Sequence, residues 1–307
     1  MQDVTLQPMR VGENGIVGAI EEIASEIKIP DTRIPSESET GTESSSGDIS
    51  TEWNIDEQDD WLASVMCSEW QDVDHPDDDT VTEKRLELGT KKDVYGMIKK
   101  YPQEPVEWKY YKGLQLNQLS IDMSLNSFVK MNWSWLGGNY PLPTTDDPVD
   151  TMTNVDYGTA LTTKSFKTLE GSFKMGDSED NLPIAIRQAS VFNLTINNNK
   201  ERTDALFETE AIEMSDGDFV VEGSFDIWKA DQLAIDMEKY AVEGTKKWFS
   251  ITVSRVVGNV KTSYEIKLYA KVKTPSESKD GNKLKTTINY SVHDKNAIRI
   301  TKLVEQL

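Results

Sequence analysis

The chain has 307 residues, 37% of them hydrophobic and eight of them Trp, which is enough for the core of one large β-domain or two ordinary ones and excludes global disorder. Its 33 basic residues against 53 acidic ones leave a net charge of −20, which argues against a binder that grips nucleic-acid phosphates or an anionic membrane with Lys and Arg. Cys67 is the single cysteine, so no intramolecular disulfide forms and the fold does not depend on an oxidising compartment.

The opening MQDVTLQPMRVGENGIVGAIEE lacks the positive start and apolar run of a signal peptide. No apolar stretch approaches the length of a membrane span. The expectation is a protein made and used in a cytoplasm, with no membrane partner and with the sequons at Asn132 and Asn193 unmodified. Ile16, Ile20, Ile23 and Ile27 fall at helical spacing and predict a short amphipathic helix ended by Pro30. Residues 36–47, SESETGTESSSG, read as a flexible, low-complexity connector. With no GxxxxGK[ST] in the chain, Gly41 and Gly47 are not part of a phosphate-binding loop.

Charge is uneven. Residues 36–79 hold fifteen Asp or Glu and no Lys or Arg, whereas residues 240–307 hold six acidic and thirteen basic residues. Such asymmetry suits head-to-tail association of identical copies, and a solvated acidic loop accounts for the first block equally well.

Asp48 to Ile55 alternates as a strand, and Asp56 to Trp70 then reads as a helix. Asp56, Asp59 and Asp60 favour the positive end of its dipole, and Trp61, Leu62, Val65, Met66 and Trp70 form one stripe. Cys67 has no neighbouring base and reads as a small buried residue. His75 to Asp79 lacks metal-loop spacing and reads as a solvated acidic turn. A strand pair around Gly89 covers Thr80 to Met97, and the prolines between Lys99 and Trp108 mark a loop.

Lys112 to Gly138 carries the clearest pattern. Leu114 and Leu116, then Leu119, Ile121, Met123 and Leu125, alternate with Ser120, Asp122, Ser124 and Asn126. After a turn at Asn126-Ser127, Met131, Trp133 and Trp135 alternate with Lys130, Asn132 and Ser134. This is a hairpin with one dry face and one wet face. A long loop follows, from Tyr140 to about Thr163, and is expected to be a contact arm between subunits rather than a lid or a domain linker.

Further strands are expected at Phe166–Met175, Ala189–Asn197, Phe219–Trp228, Trp248–Val257, Ser263–Lys273 and Thr286–Val292. A short helix covers Ala230–Tyr240, Pro275 to Gly281 forms a charged hairpin tip, and Ala297–Leu307 ends the chain as strand or tail.

Four motifs occur in a recognisable order. The first is Gly113, Asn117, Leu119, Ser120 and Ile121; the second is Trp133, Trp135, Leu136 and Gly137. Leu194, Ile196, Asn197 and Asn198 follow, and then Val221, Gly223, Ser224 and Phe225. In that order and spacing the chain resembles the tail tube proteins of long-tailed bacteriophages, over roughly residues 47–260. The N-terminal 46 residues, the insert around His75 to Asp79 and the basic C-terminal hairpins depart from the pattern.

The resemblance implies a mainly β protein, a β-sandwich with one short packed helix and long inter-subunit loops. Residues 1–46 would form a partly flexible arm and residues 47–307 the tube domain. Copies would close into a hexameric ring with a continuous inner β-barrel, and rings would stack into the virion's tail tube for genome ejection. The implied partners are the chain itself, tail terminator and distal tail or baseplate proteins, with tape measure protein and genomic DNA passing through. No enzymatic activity, cofactor or metal is implied. Asp122, Ser124, Asn126, Glu222, Ser224 and Asp226 are the candidates to face the lumen, where like charge keeps phosphates off the wall. An outward, solvated face accounts for each of them equally.

Two other readings compete. Inner tubes of contractile tails or type VI-like secretion systems share the architecture. A β-rich adhesion or carbohydrate-binding module would need an aromatic platform, which the core-facing alternation of Trp133 and Trp135 does not offer. An enzyme ranks lower, because His75 and His293 are isolated and no nucleophile motif occurs.

Overall fold

The computed structural model describes residues 4–23, 39–74, 80–187, 189–228, 232–280, 283–294 and 296–307. The principal strands are β1 (Val17–Ile23), β2 (Glu39–Glu52), β3 (Val81–Glu87), β4 (Tyr95–Tyr101), β5 (Glu107–Ser124), β6 (Lys130–Gly137), β7 (Gly171–Gly176), β8 (Ala189–Asn197), β9 (Val220–Trp228), β10 (Lys246–Val257), β11 (Val260–Val272), β12 (Lys283–Val292) and β13 (Ile298–Gln306). Two helices accompany them, α1 (Asp59–Val65) and α2 (Gln232–Glu243). The protein is mainly β, as its alternating pattern predicts.

One half of the fold runs β1-β2-β6-β5-β8-β9-β12, antiparallel throughout. The other half runs β7-β10-β11-β13-β3. A short pairing of Ala270–Val272 with Tyr290–Val292 joins them into one folded-over sheet. Phe173 of β7 meets Phe225 of β9 edge to face at 5.0 Å, and Phe249 of β10 lies 6.1 Å from Tyr290 of β12, so aromatic rings from both halves build the core.

The β5–β6 hairpin follows its sequence pattern. Leu114, Leu116, Leu119, Ile121, Met131, Trp133 and Trp135 are buried. A bulge between Leu116 and Gln118 accounts for the slipped alternation there, and Asn126 takes the positive φ of the turn. Leu125 is an exception: it lies at the turn, beyond the paired residues, and is 58% exposed. Trp61 of α1 packs edge to face on Trp133 and Trp135, at 5.3 and 5.1 Å. So short a helix is held by this burial rather than by its own hydrogen bonds.

Two expectations in the N-terminal region are corrected. Ile16 to Ile23 is not helical: β1 starts at Val17 and pairs with β2, while positions 24–38, including Ile27 and Pro30, lie outside the described residues. The expected connector at 36–47 is, from Glu39, the first part of β2, with Ser45, Ser46 and Gly47 opposite Gly137, Leu136 and Trp135. Tertiary pairing overrides composition here. Gly47, at φ 148, lies so close to Gly15 and Ile16 that a Cβ would overlap their backbone, and the N-terminal segment packs onto the strand at that point.

The strands around Gly89 do not pair with each other. β3 pairs with β13, and β4 pairs with the start of β5. The His75–Asp79 turn and Gly281 lie outside the described residues. The 140–163 loop holds a short turn of helix at Pro148–Thr151, and Val155–Tyr157 pairs with Val4–Leu6 of the same chain.

Part of the charge asymmetry is used within the chain. Lys302 of β13 reaches the carboxylates of Asp56 and Asp59, and the Tyr264 hydroxyl donates to Asp59 Oδ1 at 2.6 Å. Arg299 pairs with Glu87 at 3.0 Å.

Candidate functional site

The alternation that buries Ile121, Leu194 and Val221 sends every other side chain to the opposite face, and strand register aligns these across six strands. One row runs Glu52, Lys130, Asp122, Asn193, Ser224 and Asn289. The next runs Ser50, Asn132, Ser120, Thr195, Glu222 and Ser291. A third brings Ser124, Val191, Asp226 and Thr287 together. Five of the six candidate residues, Asp122, Ser124, Glu222, Ser224 and Asp226, thus share one face of one sheet. Asn126 stands at the hairpin tip next to it.

Short polar side chains tie the rows together. Ser50 Oγ donates to Asn132 Oδ1 at 3.0 Å, and Gln118 Nε2 donates to Ser120 Oγ at 3.2 Å. The Asn193 amide sits between Asp122 and Ser224; with its nitrogen toward the carboxylate it donates to Asp122 Oδ1 at 2.7 Å.

The acids differ in their surroundings. Asp226 is bound by Lys285 Nζ at 2.6 Å and accepts from Thr287 Oγ1 at 2.6 Å. Glu222 is exposed, with Lys273 Nζ at 3.4 Å. Asp122 is exposed opposite Lys130. The sequence already put Lys130 and Asn132 on the wet face of the hairpin; Lys273 and Lys285 as partners, and Asp48, Ser50, Glu52 and Asn193 as members of the same face, were missed. The alternation Lys285, Thr287, Asn289, Ser291 was the available signal, since it repeats the wet pattern of β5.

Over the β2-β6-β5 part of this face lies an open groove of about 1040 Å³, walled by Arg10 to Glu13 and Gly15 on one side and by Asp48, Glu52, Asp122 and Asn132 on the other. Arg10 is fixed there by the fully buried Glu57 carboxylate, with Nη2 to Oε2 at 2.6 Å and Nε to Oε2 at 3.1 Å.

The remaining chemistry-bearing groups are spent on structure. Cys67, just past α1, is buried, and burial pushes its thiol up, away from the thiolate a nucleophile needs. His293 contacts Ser291 Oγ at 2.8 Å, and His75 lies outside the described residues. Trp133 and Trp135 are buried and offer no sugar-stacking platform. Among the described residues no cluster of three or more His, Cys, Asp or Glu is arranged to hold a metal ion, and no described helix is long and apolar enough to cross a membrane.

No curated protein matches the chain. The family profile described as phage tail tube protein matches residues 13–267, which takes in α1, the wet face apart from its β12 residues, and the groove apart from Arg10, Val11 and Gly12. The chain belongs to the phage tail tube protein family.

Proposed function

We propose that copies of this chain close into hexameric rings whose inner wall is the wet face of the β2-β6-β5-β8-β9-β12 sheet, and that the rings stack into the conduit for genome ejection. As a member of its family the chain is a structural component of the virion tail that assembles with itself and with other tail proteins. The observation that carries the finer reading is the sheet itself. One side is core, and the other carries, in aligned rows, small hydroxyl and amide side chains and acids, including Asp122 and Glu222, with Lys130 and Lys285 among them. A wall of short, hydrated, partly acidic side chains repels phosphates and holds nothing tightly.

The sheet's edge supports the same reading. Among the described residues β1 pairs only with β2, leaving backbone donors and acceptors for a neighbouring copy. Ring closure satisfies such an edge. Within this proposal residues 47–307 form most of the tube domain, and residues 1–46, expected as an arm, add β1 and the first part of β2 to its sheet. The 140–163 loop contacts neighbours, and tail terminator, distal tail and tape measure proteins meet the tube at its ends and lumen. Assembly takes place in the host cytoplasm.

Negative-stain microscopy of the concentrated protein tests the proposal. Rings or tubes with an open bore are expected; a monomer at all concentrations, together with virion tails lacking the chain, contradicts it.

A further inference from the structure

The sheet ends in two unlike surfaces. Past the C-terminal end of β8 the chain forms a small hairpin, Glu201–Thr203 with Glu213–Ser215, whose tip is Asp204–Ile212. At that tip Phe207 is 100% exposed, Leu206 85% and Ile212 59%. Phe207 also has φ 73, a conformation costly for a bulky side chain and found where the surroundings or a partner enforce it. Asp204, Glu208, Glu210 and Glu213 flank these apolar residues.

At the N-terminal end of the same strand lies a cavity of about 530 Å³ between the two halves of the fold. Its floor includes Phe173, Ile186 and Phe192, and its rim carries Leu125 and Leu169, which are 58% and 71% exposed. Lys174 and Arg187 also line it. The tip is apolar and framed by acids; the cavity is apolar and framed by cations. Nine residues of β8 separate them, about 30 Å of extended chain.

From this complementarity we infer that the Leu206-Phe207 tip of one copy inserts into the cavity bounded by Leu125, Leu169 and Arg187 of the next copy. A knob and a socket at opposite ends of one strand let copies that point the same way engage one after another. They form a head-to-tail contact that repeats along the strand direction. Insertion removes two large apolar side chains from water at each end and brings Glu208 and Glu210 to Lys174 and Arg187. The inference rests on the reading that copies of this chain assemble, and adds which surfaces meet.

The test uses the full chain with a photo-crosslinking benzoyl-phenylalanine at position 207, assembled from a mixture of isotopically heavy and light protein. Heavy–light cross-links from position 207 to peptides containing Leu125, Leu169 or Arg187 are expected. Cross-links confined to one chain, or to peptides elsewhere in the partner copy, overturn the inference. A second variant, Phe207→Gly, suits the positive φ and keeps the fold, and should raise the concentration needed for assembly about tenfold or more. If the parent chain and Phe207→Gly assemble equally, the knob is refuted while tube formation stands; if the parent fails to assemble at all, both fall.

Discussion

Tyr290 lies across Gly223. The two are directly opposite on β12 and β9, and the phenol passes over the glycine to donate to the Asn193 carbonyl of β8 at 2.8 Å. A Cβ at position 223 would overlap both that carbonyl and the Tyr290 hydroxyl. The glycine in the Val221-x-Gly223-Ser224-Phe225 motif is therefore a gap through which one core aromatic ties three strands of the proposed lumen wall.

Gly223→Ala is accordingly expected to destabilise the monomer by about 1–3 kcal/mol, the usual cost of overpacking. Tyr290→Phe, which removes only the hydrogen bond, should cost about 1 kcal/mol. Urea midpoints measure both, and a Gly223→Ala variant of unchanged stability would contradict the packing described.

One ion pair helps to hold the N-terminal segment, alongside the pairing of Val4–Leu6 and the backbone bonds from Gly12 and Gly15 to Ser50 and Asp48. Glu57 has a fully buried side chain, and Arg10 is its cation. Replacing Arg10 with Ala takes the cation from that carboxylate and leaves it the backbone N–H of residue 10, at a cost of about 3 kcal/mol. Cleavage between residues 10 and 16 by a non-specific protease should accelerate in this variant, while Arg10→Lys should lie between the two.

Alkaline pH should weaken the packing of β13 on α1. Burial opposes the charge on Lys302, but Asp59 and Asp56 outweigh it and hold its pKa above the ordinary 10.5. A base raised on folding stabilises the fold fully below its unfolded value, and that contribution is lost as pH rises through the folded value. Tyr264 is raised as well, by burial first and then by Asp59; its phenol resists ionisation in the fold, which gives the same sign. The stability gap between the parent and Lys302→Met should therefore be constant from pH 6 to 9 and shrink above about 10.5. A gap that widened with pH would contradict the assignment.

Much of this was legible in the sequence, and the exceptions have physical causes. Alternation identified β5, β6, β8 and β9, because a strand covered on one side must alternate. It also grouped Asp122 and Ser124, and Glu222, Ser224 and Asp226, on single strands. That Asp122 faces Asn193 and then Ser224 could not be read, because register between distant strands is set by the whole core. The first part of β2, up to Gly47, was misread because its Ser and Glu residues look solvated in isolation, whereas β6 supplies a ladder for Ser45 to Gly47. The pairing of Lys302 with Asp56 and Asp59 links residues at opposite ends of the chain, and no local pattern encodes it.

On the proposed lumen, charge at Asp122 sets how DNA slides. Asp122→Lys should leave tube length unchanged and slow genome ejection at least about threefold, because a row of cations retains phosphates. Asp226→Asn should have a smaller effect, since Lys285 already neutralises that carboxylate.

The most direct test of the central claim is a helical reconstruction of tubes from the virion or from purified protein, at a resolution that traces side chains. Six copies around an open bore are expected, with Asp122, Ser124, Glu222 and Ser224 of every copy on its inner surface. Those residues on the outer surface, or covered by a neighbouring copy, would contradict it.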